Sequence, residues 1–499
     1  MRELKTDTYN FERYTDENLL YKNELIDTVS LSKKLTWLYG SDSEMFSLLT
    51  LTEGQDGIKS IPKKELNDTQ YIWKTIGRMK HVSAVLGLSN TNVTKPGLGF
   101  QTFEVKFEDE LLLKYHTVTT PDKSHICRIQ GEPVKLGYNT FKYTMIILTG
   151  DEDEYVSLDN FQAGQNWVMG AAKVAASKSD GVTSNSMSPG KWTNQFSFVR
   201  FGKQIAGNVS NKVINVEFDT IDNAGVKGTT NKWMPWEMKQ FEIDRKIMLE
   251  DALWNDKYNR DSFGRIMNKD DETGEPIPSG AGVKEILKTT GQHDTYGTLT
   301  IDKLDSVVNS LFGNRIDKTP MEIVLYTGAG GMRMMNSAIK TAAQGNSYYD
   351  KLGSEEIMSG TDGYLSYGKY FNQYKTIDGH ILTVKRSGIF DDGLYAELDR
   401  ANGNMYKGFP AESYNICILD HSVNSENGER NIQLVGEQGR EMITGVYKGM
   451  SPLPPEWGGI ERKGGLLSTR KDIASYEVLM SQGIAMLNYT TSYFLEFKQ

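Results

Sequence analysis

The residues best suited to chemistry are few, and each misses the spacing its chemistry requires. Gly328-Ala329-Gly330-Gly331 lies between the apolar run MEIVLYTG and a helical pattern, and amides at a helix N-terminus attract anions. A dinucleotide fingerprint needs glycine three residues after Gly330, where Arg333 stands, and no Gly-Lys-Ser/Thr follows to make a P-loop. The glycines therefore predict a tight strand-to-helix turn. His125 and Cys127 can share a strand face as half of a metal site, but no second pair lies at ligand spacing. The acidic run Asp151 to Glu154 reads as a solvated hairpin turn, and Asp391-Asp392 sits between Gly388 and Gly393, where a turn accounts for both carboxylates. Asn268 to Gly274 carries its glycine one position late for a calcium loop, and no Gly-x-Ser-x-Gly elbow occurs. The expectation is a non-enzyme with no catalytic residues, no metal and no cofactor.

Composition narrows the class further. A chain of 499 residues with 38% hydrophobic and 24% charged side chains can bury a large core and exceeds what one core usually organises. The net charge of −9 is mild and supplies no basic stripe, which argues against sequence-specific DNA binding. No apolar run approaches a membrane span, and the first twenty residues lack the apolar stretch of a signal peptide. Cytoplasmic synthesis is expected, with Cys127 and Cys417 as buried, reduced thiols, each inside an apolar strand-like run.

The elements that would position any site follow from periodicity. Residues 1–67 are polar, with a helical candidate between Asp16 and Trp37. Tyr71 to Leu88 and Phe100 to Leu113 flank a tip, Ser89 to Gly99, that is rich in Asn, Pro and Gly, which predicts a long antiparallel ribbon. Within it Phe103, Val105 and Phe107 alternate with polar residues, leaving one sticky face that needs a partner. Turn signals between short strand candidates mark 119–230 as β-rich, with Ala171 to Ala176 the clear helical piece. From Trp233 to Tyr258 a long helix carries Met238, Phe241, Met248 and Ala252 on one face and Trp236, Ile243, Ile247 and Trp254 on another, so burial on two sides is expected. Glu242 and Lys246 stand in the favourable i,i+4 order. A flexible stretch, Lys269 to Gly282, precedes the helix Ile301 to Leu311, the strand ending at Gly328 and a helix from about Gly331. Strands follow at Thr376 to Lys385, Asn415 to Leu419, Gln433 to Val435 and Met442 to Tyr447. The end of the chain reads as a short helix capped by Ser468, a strand with Tyr476, Val478 and Met480, a turn at Gly483 and an apolar strand from Ile484 to Leu487.

Four stretches, YIWKTIGRMKHVSAVLGL, KPGLGFQTFEV, WEMKQFEIDRKIMLEDALW and IASYEVLMSQGIAMLN, occur in an order that resembles tailed-bacteriophage major capsid proteins, most closely those of crAss-like phages. The resemblance implies an α+β chain with the Hong Kong 97 (Johnson) capsid fold. Its parts would be an N-terminal arm (1–67), an extended β-hairpin loop (68–118) and a β-rich insertion (119–230), followed by a peripheral domain with a spine helix (231–319). An axial domain with its connections (320–465) and a C-terminal return to the peripheral domain (466–499) would complete it. It further implies self-assembly through hexameric and pentameric capsomers into an icosahedral shell around double-stranded DNA held without sequence specificity. Portal, scaffolding and auxiliary capsid or head-fibre proteins would be partners, no membrane would be involved, and assembly would take place in the host bacterial cytoplasm. Lys95, Pro96, Phe103, Val105 and Phe107 of the ribbon are the expected inter-subunit contacts. A fibre or surface-binding protein is the alternative, against which stands the absence of any evident repeat.

Overall fold

The computed structural model describes residues 46–49, 63–77, 79–90, 92–178, 185–207, 213–221, 227–313, 322–345, 373–375, 381–423, 428–450 and 468–498. They belong to two compact units, one comprising Met1–Trp73 with Trp192–Gln499 and the other Lys74–Lys191. The helix expected between Asp16 and Trp37, and most of the arm, lie outside the described residues. Among the described residues no helix is long and apolar enough to cross a membrane.

After β1 (Lys64–Leu66) and β2 (Gln70–Thr75), the chain forms the Lys74–Lys191 unit from β3 (Val82–Leu88), β4 (Phe103–Phe107), β5 (His116–Thr119), β6 (Ile126–Ile129), β7 (Val134–Gly137), β8 (Thr140–Ile147) and β9 (Asn166–Ala172). The expected hairpin exists, since β3 pairs antiparallel with β4, but it is not a lone ribbon. The order β4-β3-β9-β5-β6-β8 closes on itself because β4 also pairs β8, from Phe103↔Met145 to Phe107↔Phe141. A closed barrel removes the open edges that an isolated hairpin would expose. Strict alternation in β4 and β8 puts every second side chain inside. Val105, Phe107, Tyr143, Met145 and Trp167 are wholly buried there, with Phe107 edge-on to Tyr143 and Trp167. The boundary expected at 118/119 therefore falls inside one barrel and is not a division of this fold. The helix expected at Ala171 to Ala176 is absent as well: β9 runs to Ala172, its pairing with β5 overriding the helical preference of alanine.

In the other unit, β10 (Gly190–Gln195) pairs with β2, β11 (Ser197–Ala206) follows, and β12 (Val213–Ile221) and β13 (Lys227–Lys232) form a two-stranded ribbon leading into α1 (Trp233–Asn255). Then come α2 (Val283–Thr289), β14 (His293–Tyr296), α3 (Ile301–Gly313), β15 (Glu322–Thr327), α4 (Ala329–Gly345), β16 (Gln373–Lys375) and β17 (Ile381–Arg386). Two short helices, α5 (Ile389–Asp392) and α6 (Leu394–Asn402), precede the hairpin of β18 (Met405–Tyr406) and β19 (Phe409–Pro410). The chain ends with β20 (Ile416–Asp420), β21 (Ile432–Glu437), β22 (Met442–Lys448), β23 (Ile473–Met486) and β24 (Tyr493–Phe497).

A mixed six-stranded sheet, β14-β24-β20-β15-β17-β16, is the centre of this unit. Its inner strands are apolar on both faces because both faces are covered. Ile323, Leu325, Ile416, Ile418 and Leu495 pack with Leu304, Val307, Val308 and Leu311 of α3 and Met335 of α4. Val324, Tyr326, Cys417 and Leu419 pack with Leu253 and Trp254 of α1 and Ile286 and Leu287 of α2. Both cysteines are free and buried, Cys127 in the barrel and Cys417 in this sheet, and burial raises both thiols, that of Cys127 to about 12.

The C-terminal strand departs from expectation. Among the described residues no helix starts at Ser468, since 468–472 are irregular, and β23 is a single 14-residue strand that joins β11, β21 and β22 in a five-stranded sheet with β1. Its first part lies between β11 (Ser197↔Gln482 to Ala206↔Ile473) and β22 (Met442↔Met480 to Lys448↔Ala474), and its last part pairs with β21 (Val435↔Gly483 to Ile432↔Met486). Gly483 is thus within the strand and makes no turn. Glycine is needed because a Cβ there would stand 2.7 Å from the Tyr71 hydroxyl, which donates to the Ile484 carbonyl at 2.8 Å.

Helix α1 ends at Asn255, three residues before the expected Tyr258. Phe241 sits edge-on to Phe201 of β11 and Tyr476 of β23, while Leu249, Leu253 and Trp254 enter the sheet core. Met248, expected on a buried face, is half exposed. Glu242 pairs with Arg245, and Lys246 lies over the Phe46 ring at 5.7 Å. Glu237, fully buried, is neutralised by Lys203 at 3.0 Å.

Candidate assembly surfaces

The carboxylates that most resemble catalytic groups serve as internal clamps. Glu250 of α1 is fully buried and accepts hydrogen bonds from the Leu48 amide (2.8 Å), the Leu49 amide (2.9 Å), the Ser47 hydroxyl (3.1 Å) and the Trp254 indole (2.9 Å). Burial nevertheless holds its carboxyl above the ordinary value. The result fixes residues 46–49 to α1, with Phe46 and Leu48 buried.

The glycine turn before α4 is closed in the same manner. Asp391 accepts from the Ala329 amide (2.9 and 3.1 Å), from the Ser413 hydroxyl (2.6 Å) and from Arg386 Nε (2.8 Å), while Ser413 Oγ accepts from the Gly330 amide at 2.8 Å. The helix N-terminus already holds its anion, a side chain of the same chain, which satisfies amides left unpaired by the first helical turn. A Cβ at Gly328 would stand 2.6 Å from Asp391 Oδ1 and 2.5 Å from Ser413 Oγ, so glycine here admits the cap. Asp392 pairs with Arg400 at 2.8 Å. The acidic run Asp151 to Glu154 is an exposed turn, with the Asp153 amide donating to Asp151 Oδ1 at 2.9 Å. Among the described residues no three His, Cys, Asp or Glu side chains converge as metal ligands.

What these clamps leave exposed is apolar and borne on rigid elements. Between α1 and α2 the stretch expected to be flexible is a pinned loop with bridges Arg260↔Ile266 and Lys269↔Pro276. Gln195, wholly buried, donates to Asn259 Oδ1 (2.8 Å) and the Ser279 carbonyl (2.7 Å) and accepts from Arg260 Nε (2.5 Å). Asn194 brackets Ala281, its Oδ1 accepting from the amide at 2.8 Å and its Nδ2 donating to the carbonyl at 3.1 Å. Fixed in this way, the loop presents Phe263 at 81% and Met267 at 72% exposure. The edge strand β22 exposes Met442, Ile443 and Tyr447. In the barrel unit the β7–β8 hairpin carries Val134 and Leu136 half exposed and Tyr138 at its tip 93% exposed. Large apolar side chains clustered on pinned loops and free strand edges are what subunit interfaces bury.

The expected contact residues are divided by the structure. Phe103, Val105 and Phe107 face the interior of their own barrel, at most 4% exposed, so a contact through them is corrected to a core role: β8 and β9 supply the partners that a neighbour was expected to supply. Pro96 is buried, its carbonyl accepting from the Val156 amide at 2.9 Å. Lys95 is exposed, with its ammonium 5.1 Å from the centre of the Tyr155 ring. Phe263, Met267 and Tyr138 were not singled out from the sequence, although an isolated large apolar residue inside a Gly- and Asp-rich loop is the signal that marks them.

A family model described as Crassvirus major capsid protein matches residues 6–498. No curated protein sequence matches the chain. Among solved structures, similarity extends to the holo-SrpI encapsulin complex of Synechococcus elongatus (12% identity, 62% of this chain and 75% of the other, TM-score 0.28). It extends also to the capsid of cyanophage P-SCSP1u (8%, 66% and 81%, TM-score 0.31) and to a structure from Mycobacterium phage Adephagia (12%, 81% and 88%, TM-score 0.28).

Proposed function

The chain belongs to the Crassvirus major capsid protein family, and from that premise we propose that its shell is icosahedral, encloses the double-stranded DNA genome of a tailed bacteriophage and is built from hexameric and pentameric capsomers. As a phage major capsid protein it forms a homo-oligomeric capsid and resides in the virion. The family match over residues 6–498 carries the reading, and the rigid, apolar, solvent-facing loop and strand edges support it.

In the proposed assignment the chain has the Hong Kong 97 arrangement. Helix α1 is the spine of the peripheral domain, with β11, β22 and β23 as its sheet, and the six-stranded sheet with α3 and α4 is the axial domain. Residues 74–191 are the extended loop, enlarged into a barrel, which revises the division into a ribbon (68–118) and an insertion (119–230). Portal, scaffolding and auxiliary head proteins are the proposed partners, DNA is held without sequence readout, assembly occurs in the host cytoplasm and the chain catalyses nothing. Lys95 remains a proposed subunit contact, joined by Tyr138, Phe263 and Met267.

Expression of the chain alone and with scaffolding partners, followed by size-exclusion chromatography and negative-stain electron microscopy, tests this. Closed shells, tubes or five- and six-membered rings are expected; a monomer under every condition contradicts it.

A further inference from the structure

The barrel unit carries a basic cluster at one end of β6 and an acidic turn at the other. At one end of β6 the Tyr115 amide donates to Ile129 O and the Lys173 amide to Tyr115 O, both at 3.0 Å. Around the Tyr115 ring stand Lys178 (3.6 Å), Arg128 (5.0 Å) and Lys114 (5.2 Å), measured to the ring centre. Among the described residues the one carboxylate in ion-pair contact with these three cations is the exposed Glu132, 3.6 Å from Lys114. The hydrogen bond from Lys178, with the charge of Lys114 adding to it, holds the Tyr115 phenol below its ordinary value, the response expected where positive charge is in excess. Tyr115 itself has φ of 70°, a backbone conformation that costs a tyrosine energy and that the surrounding structure must impose.

The opposite end of β6 is acidic. There the Leu148 amide donates to Ile126 O at 2.9 Å, and the chain leaves β8 for Asp151, Glu152, Asp153 and Glu154, all exposed. Backbone bonds from Gly99 N to Glu152 O and from Val156 N to Pro96 O, both 2.9 Å, hold this turn in place. None of the four carboxylates is in an ion pair among the described residues.

We propose that the acidic turn 151–154 of one copy docks against the Lys114, Arg128 and Lys178 cluster of a second copy, a head-to-tail contact between barrel units in the assembled shell. The proposal rests on the capsid reading and names a surface within it. A patch meeting a different patch on its neighbour generates rings when the rotation closes, and opposite charges at the two ends of one rigid barrel favour that polarity. Charge complementarity of this kind acts mainly on encounter rate and register, and salt screens it.

The test uses three full-length variants: a reversed turn (Asp151→Lys, Glu152→Lys, Asp153→Lys, Glu154→Lys), a reversed patch (Lys114→Glu, Arg128→Glu, Lys178→Glu) and their combination. Circular dichroism checks folding, and light scattering with electron microscopy follows assembly beside the unaltered chain. Each single reversal is expected to slow assembly about tenfold or more, and the combination in one chain to restore it. Reversals that assemble at the unaltered rate overturn the proposal and leave the capsid reading standing. A patch reversal that alone impairs assembly, with no rescue by the reversed turn, also overturns it and assigns the patch to the phosphates of packaged nucleic acid. If the unaltered chain forms no particles under any condition, the capsid reading fails and the proposal falls with it.

Discussion

Replacing Asp391 by alanine removes the anion that the strand-to-helix turn is built around. The carboxylate is 4% exposed and holds three donors: the Ala329 amide, the Ser413 hydroxyl and Arg386 Nε. A hydrogen bond to a charged group contributes about 1.5–3 kcal/mol. Arg386 is half exposed and recovers water, so its share is small. The Ala329 amide and the Ser413 hydroxyl that in turn receives the Gly330 amide are left without their acceptor, a net loss of about 3–4 kcal/mol for opening the first turn of α4. At 1.4 kcal/mol per tenfold, hydrogen exchange of the amides that start α4 should quicken roughly 100- to 1000-fold. Mass spectrometry of a peptide spanning that turn reads the rate directly. Because the vacated turn becomes an anion site, acetate at tens of millimolar should restore protection where sodium chloride at the same ionic strength does not. An exchange rate within about fivefold of the unaltered chain would mean that Asp391 is dispensable to the turn.

Four further outcomes follow from the same geometry. Gly483→Ala forces Tyr71 off the Ile484 carbonyl and should destabilise by about 2–4 kcal/mol in urea unfolding, with Tyr71→Phe in the same chain recovering part of the loss. Asp256, raised to about 6 by burial and then by Asp251, stays protonated in the fold while the unfolded chain ionises near its ordinary value, so stability is lost as pH rises from about 4 to 6. Asp256→Asn should therefore gain roughly 1–2 kcal/mol at pH 7–8, a figure reduced for its partial exposure, and nothing below pH 4, as thermal unfolding across that range will show. His421 is lowered to about 3 by burial and then by Arg430 and Lys385, and its buried Nδ1 has no hydrogen-bond partner among the described residues. Stability should accordingly fall as pH drops from 6.5 toward 3, and His421→Gln should flatten that limb of the urea-midpoint profile. Phe263→Ser with Met267→Ser should leave the melting curve within about 0.5 kcal/mol of unaltered stability, yet weaken assembly in sedimentation velocity.

Much of the central sheet was legible because its signals are local. The runs at β15 and β20, and the periodic helices α1, α3 and α4, stand within a residue or a few of where periodicity puts them, since strands covered on both faces and helices with an apolar stripe leave distinct patterns. The barrel was not legible in the same way. Alternation at Phe103, Val105 and Phe107 defines a buried face but not its cover, and the closing strand β8 lies about forty residues further along. Gly483 read as a turn because a glycine between apolar runs usually is one; its reason is a hydroxyl 412 positions away in Tyr71. Glu250 and Asp391 carry no local mark of their roles either, because their donors lie on other elements, up to 203 residues distant for Glu250 and Ser47. Asp391, legible from the sequence only as a turn carboxylate between Gly388 and Gly393, caps the first turn of α4.

The most direct measurement of the central claim is a cryo-electron microscopy reconstruction of the intact virion. This chain is expected to trace into the continuous wall of the shell, with the α1-containing unit and the barrel unit both present in every wall subunit around five- and six-fold positions. A wall built from another chain, with this one absent from it or confined to appendages, would contradict it.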